Sequence, residues 1–78
     1  MWEEAGLQGR YANCFRVGYN AFEFMIDFAQ AASENRVVQL HTRIIINPAY
    51  SRTLLQLLGK SIGEYEQAYG RIPEDHES

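Results

Sequence analysis

The stretch Phe22–Phe28, FEFMIDF, constrains this chain more than anything else in it. In an extended strand Phe22, Phe24, Ile26 and Phe28 share one face, and Glu23, Met25, Asp27 and Ala29 share the other. The aromatic row has to be covered, so the rest of the chain is read first as covering material.

A first strand is expected from Arg10 to Tyr19, with Tyr11, Asn13, Phe15, Val17 and Tyr19 on one face and Ala12, Cys14, Arg16 and Gly18 on the other. Asn20-Ala21 reads as the turn into the second strand, Phe22 to Ala31, since Asn suits a tight hairpin. Pairing Tyr19 with Phe22, Val17 with Phe24 and Phe15 with Ile26 brings the aromatic and branched faces together. Ser33-Glu34-Asn35-Arg36 is a polar turn of hairpin length. A third strand then runs from Val37 to Ile46. Val38, Leu40, Thr42, Ile44 and Ile46 form one of its faces, and Val37, Gln39, His41, Arg43 and Ile45 the other. Two registers keep apolar faces together: Asp27 opposes His41 in one and Arg43 in the other, and both remain open.

Asn47-Pro48 starts a helix, with an N-cap residue followed by proline at the first helical position. Tyr50, Leu54, Leu57, Leu58, Ile62, Tyr65 and Tyr69 recur at spacings of three and four, the stripe of a helix lying on a sheet. Gly70 sits at a left-handed C′ position, Ile72 supplies a closing contact, and Pro73 blocks continuation. Gly59 and Gly63 weaken the helix interior but permit close backbone approach. The expected fold is α+β: a three-stranded antiparallel meander followed by one long C-terminal helix packed on one face. Residues 1–9 read as a flexible lead-in, 10–72 as the single domain, and 73–78 as a disordered acidic tail.

Composition bears on reinforcement. Seventy-eight residues lie near the lower limit for one core, and such domains need a disulfide, a metal or self-association. A single cysteine, Cys14, cannot form an intramolecular disulfide, and no metal-ligand cluster is visible, so elimination leaves a homodimer. The open edges of the first and third strands support the same expectation. Seven Lys and Arg against ten Asp and Glu, with no basic run, weigh against nucleic-acid binding. The N-terminal decapeptide lacks the apolar run of a signal peptide, and no stretch is apolar enough to span a bilayer. A lone thiol without an export signal points to the cytoplasm.

No catalytic or cofactor signature stands out. His41 with Asp27 and Glu23 is the one grouping that hints at proton transfer or weak metal binding, and a cross-strand ion-pair set explains it more simply. His76 lies in the tail. Cys14 reads as a small apolar strand residue. Ser51 and Ser61 lie within a helix, without a nucleophile-elbow context. Of Tyr11, Phe15, Tyr19, Tyr50, Tyr65 and Tyr69 most fall on inward faces, without interleaved cations, which favours core over base stacking. The expectation is therefore no enzyme, no cofactor and no metal, with Glu23, Met25, Asp27, Gln39, His41 and Arg43 as a candidate interaction surface toward an unidentified protein partner. Nucleic-acid binding on a composite dimer surface is the alternative, and a minor enzymatic or metal role at His41, Asp27 and Glu23 a further one.

RYANCFRVGYNAFEFMIDF followed by HTRIIINPAYSRTLLQLLGKSIGEYEQAYG resembles the bacterial and archaeal family called domain of unknown function 3467. The resemblance rests on the Asn-x-Phe-Glu-Phe-x-x-Asp-Phe block at Asn20 to Phe28, on the Arg-containing strand and Pro-started helix from Arg43 to Glu66, and on Gly70. It covers about Arg10 to Ile72. Asn47 stands where typical members often have Ser, and both cap a helix. The family has no established activity, so the resemblance implies no binding residues, although Glu23 and Asp27 fall inside the matching block.

Overall fold

The computed structural model describes residues 1–32 and 37–74. The chain is α+β, with three strands followed by one long helix. It divides into two units, Met1–Ile46 and Asn47–Ser78.

The first unit is an antiparallel meander of β1 (Cys14–Tyr19), β2 (Phe24–Ala31) and β3 (Val38–Ile46), with β2 in the centre. Its first hairpin is longer than the sequence suggests. Tyr19 pairs with Phe24, Val17 with Ile26 and Phe15 with Phe28, a shift of two residues from the expected register. Asn20 is the cause. Its Oδ1 accepts the N–H groups of Phe22 (2.8 Å) and Glu23 (3.0 Å), and its own N–H donates to the Glu23 carbonyl. The side chain thus closes a four-residue connection in place of a two-residue turn. Phe22 is carried out of the strand and left 84% exposed. Because the slip is even, every side chain keeps its face. Phe15 meets Phe28 edge-on at 5.8 Å, and Tyr19 stacks on Phe24 at 5.7 Å.

β1 begins at Cys14 rather than Arg10, and Asn13 explains the margin. Its side-chain amide exchanges two hydrogen bonds with the Ala31 main chain, Oδ1 accepting from N–H at 2.8 Å and Nδ2 donating to C=O at 3.2 Å. An amide side chain here does the work of a peptide group.

The second hairpin corrects the sequence reading more deeply. Phe28 pairs with Thr42, but Ala29 pairs with Leu40, so His41 is an extra residue in β3. A bulge of this kind reverses the alternation beyond it. Ile44 and Ile46 stay on the Phe24–Ile26–Phe28 side. Leu40 and Val38, opposite Ala29 and Ala31, move to the side of Asp27, and Gln39 moves the other way. Of the two open registers, the one placing Asp27 opposite Arg43 is observed. The polar turn expected over Ser33–Arg36 lies outside the described residues, as does His76 with the end of the acidic tail.

The second unit contains α1 (Pro48–Tyr69). Asn47 Oδ1 accepts the Ala49 N–H at 2.8 Å, and Pro48 stands at the first helical position, as expected. At the other end the Gly70 N–H donates to the Glu66 carbonyl at 2.9 Å. Gly70 has φ 99° and ψ 167°, a positive-φ extended conformation that glycine alone adopts readily, rather than the expected left-handed helical one. Ile72 is tied back through its main chain, its N–H donating to Glu66 Oε2 at 3.0 Å. No residue of α1 is buried. No helix among the described residues is long and apolar enough to cross a membrane.

Candidate functional site

The sheet has two unlike faces. One carries Phe15, Val17 and Tyr19 from β1, Phe24, Ile26 and Phe28 from β2, and Thr42, Ile44 and Ile46 from β3. It bears no charge along these three rows. Tyr19 is 79% exposed, and Phe15, Val17 and Ile44 are exposed as well.

The opposite face is built around a charged row. The pairing places Arg16, Asp27 and Arg43 side by side on β1, β2 and β3. Asp27 is 1% exposed, the most enclosed polar side chain described, while the side chains of Arg16 and Arg43 are 58% and 53% exposed. Arg43 bridges the carboxylate, Nε donating to Oδ1 at 2.7 Å and Nη2 to Oδ2 at 3.1 Å. Arg16 donates Nε at 3.0 Å and Nη2 at 2.8 Å, both to Oδ2. Four charge-assisted hydrogen bonds thus satisfy one buried carboxylate.

The electrostatics follow this geometry. The hydrogen bonds from Arg43, then those from Arg16, pull the Asp27 pKa from 3.8 to about 2, although its burial pushes the other way. The Asp27 carboxylate in turn raises the pKa of Arg43. Asp27 is therefore a fixed anion flanked by two fixed cations. The row carries one net positive charge and is arranged to hold charge in place.

Around it the face is apolar. Met25 lies between Gly18 and Ile45, its Cε against Gly18. On the other side Cys14, Ala29, Val38 and Leu40 line an open hollow of about 400 Å³ together with Phe15 and Arg16. Ala29 is 1% exposed, the one buried apolar residue described.

Of the surface expected from the sequence, Met25, Asp27 and Arg43 share this face. Glu23 lies in the connection between β1 and β2, and Gln39 is turned to the other side by the bulge. His41, the bulged residue, is engaged elsewhere. Its Nε2 lies 3.0 Å from the Tyr11 carbonyl and its Nδ1 2.7 Å from Thr42 Oγ1. A carbonyl can only accept, so Nε2 carries the proton, and in the neutral ring Nδ1 accepts from the Thr42 hydroxyl. Arg10 Nη1 donates to the His41 carbonyl at 3.4 Å, fastening the bulge to the segment that precedes β1. His41 and Asp27 line one open hollow with Arg43 but share no hydrogen bond, Glu23 is not among the residues lining it, and no three His, Cys, Asp or Glu among the described residues could hold a metal ion.

Arg16 is the residue that sequence reasoning passed over. It falls on the same strand face as Cys14 and Gly18, and the hairpin parity carries that face onto Asp27, so the signal was present.

A family model described as "Protein of unknown function (DUF3467)" matches residues 1–74. No curated protein and no solved structure matches the chain.

Proposed function

The chain belongs to the DUF3467 family, and from the geometry of its sheet we propose that it is a small non-enzymatic interaction or assembly module acting as a homodimer. The observation that carries this reading is the uncharged sheet face of Phe15, Val17, Tyr19, Phe24, Ile26, Phe28, Ile44 and Ile46. It lies in a chain whose described residues include only one buried apolar side chain, Ala29. Apolar surface left in water forgoes roughly 25 cal/mol per Å² of stabilisation, and contiguous exposed patches beyond a few hundred Å² mark interaction sites. Leu54, Leu55, Leu57, Leu58, Ile62, Tyr65 and Tyr69 of α1 are exposed in the same way. Burying such surface in a second copy supplies what one chain of this size lacks. The charged row suits such a role, since the hydrogen bonds of Arg16 and Arg43 hold Asp27 in one place. The cytoplasm is the compartment that suits a single free thiol, Cys14.

Light scattering on the full chain at micromolar concentration tests the proposal. The expected mass is twice that of the 9.0 kDa chain, and a folded monomer would overturn the dimer.

A further inference from the structure

We propose that the Arg16–Asp27–Arg43 row, with the hollow beside it, is a docking site for a protein segment that presents a carboxylate side chain next to an apolar one.

Three observations lead there. The first is charge. Two guanidiniums meet on one carboxylate, so the row keeps one uncompensated positive charge on a chain whose formal net charge is -3. An anion from outside completes it. The second is donor geometry. Arg16 and Arg43 both spend Nε and Nη2 on Asp27, and Nη1 of each makes no hydrogen bond among the described residues. What remains on each guanidinium is the Nη1 side of the planar fork, a donor geometry suited to carboxylate. Asp27 already holds both side chains in place, so little ordering remains to oppose binding.

The third observation is the surroundings. Cys14, Ala29, Val38 and Leu40 line the hollow adjoining Arg16, and Met25 and Ile45 form the row on the other side of the charges. The bulge at His41 creates this arrangement, because it turns Val38 and Leu40 to the arginine side. The ligand is thus anionic at the centre and apolar beside it. That pattern disfavours a phosphate backbone, which would need further cations and no apolar hollow. The hollow is also open along the sheet surface, which suits one side chain of a larger partner better than enclosure of a small molecule.

The site deepens the reading of the chain as an interaction module and lies within a single chain, so it stands or falls separately from dimerisation. The test is an NMR titration of the full chain, following the Arg16 and Arg43 Nε–H signals. The probes are N-acetyl-Leu-Glu-Leu amide, its Gln analogue and inorganic phosphate. Saturable shifts with the Glu peptide are expected, with the Gln peptide and phosphate at least tenfold weaker. Arg16→Lys keeps the charge beside Asp27 but loses the fork, and should weaken the Glu peptide about tenfold in a protein with an otherwise unchanged spectrum. Equal response to the Glu and Gln peptides, no saturable shift, or undiminished binding by Arg16→Lys would overturn the site. Phosphate binding as tightly as the Glu peptide would overturn it in favour of a nucleic-acid or other phosphate ligand. Light scattering on the same samples reports the dimer independently, so the two failures are distinguishable.

Discussion

The two faces of β2 invert the usual arrangement of a small protein. Asp27 is all but inaccessible and fully hydrogen-bonded, while the Phe24–Ile26–Phe28 side belongs to a surface whose outer members Phe15, Val17, Tyr19 and Ile44 are open to water. The difference lies in what a side chain needs. A carboxylate is satisfied by a few donors at fixed positions, and Arg16 and Arg43 supply all of them from neighbouring strands. An aromatic row needs area, which three strands lying in one layer cannot provide for themselves. One face is therefore complete within the sheet, and the other calls for a covering.

The sharpest way to break this contrast is to charge the apolar face. Ile26→Asp, in the middle strand, should abolish self-association and cooperative unfolding at micromolar protein, because an unpaired carboxylate would be trapped in the interface. A variant that remained dimeric by light scattering would remove that face from the interface. Truncating Phe28 to Ala is milder. If the face is covered in the assembly, the loss approaches the roughly 3–5 kcal/mol of a core phenylalanine, read from urea unfolding. A near-neutral result would mean the face stays wet.

On the charged face, Asp27→Asn should lower the urea midpoint, since two guanidiniums would lose their shared partner. Arg43→Gln should lower it more than Arg16→Gln, because Arg43 engages both carboxylate oxygens and Arg16 only one. Equal effects would show that charge, and not the bridging geometry, governs the row.

Acid resolves the same row by titration. The Asp27 pKa is lower in the fold, about 2, than its ordinary 3.8, so the folded state favours the ionised form. Its contribution is complete above 3.8 and is lost as pH falls through about 2. A stability profile from pH 5 to 2 should show this loss in the parent chain and not in Asp27→Asn. The smallest effect touches neither face: Asn47→Ala removes the helix cap and should cost about 1 kcal/mol without altering association.

Much of this was legible in the residues. The helix limits were written by Asn47-Pro48 and Gly70, because capping is local chemistry between a side chain and the nearest main-chain groups. Facing of β1 against β2 was also legible, and it survived an error of two residues in register because alternation has period two. The bulge was not legible. Val38 to Ile46 contains no glycine to mark an extra residue, and the fastening of His41 comes from Tyr11 and Arg10, about thirty positions earlier. That one residue decided which side Leu40, Val38 and Gln39 occupy.

By itself, then, the sequence determined the order of elements, the helix caps and the alternating faces of Phe24 to Phe28, all of which depend on neighbours within a few positions. The tertiary structure alone decided that Asp27 is shared by Arg16 and Arg43 while His41, in a bulge, bonds Tyr11 and Thr42 instead. Hydrogen bonds between strands are settled by register, and the register of β2 against β3 turns on a bulge whose partners, Arg10 and Tyr11, lie about thirty positions away.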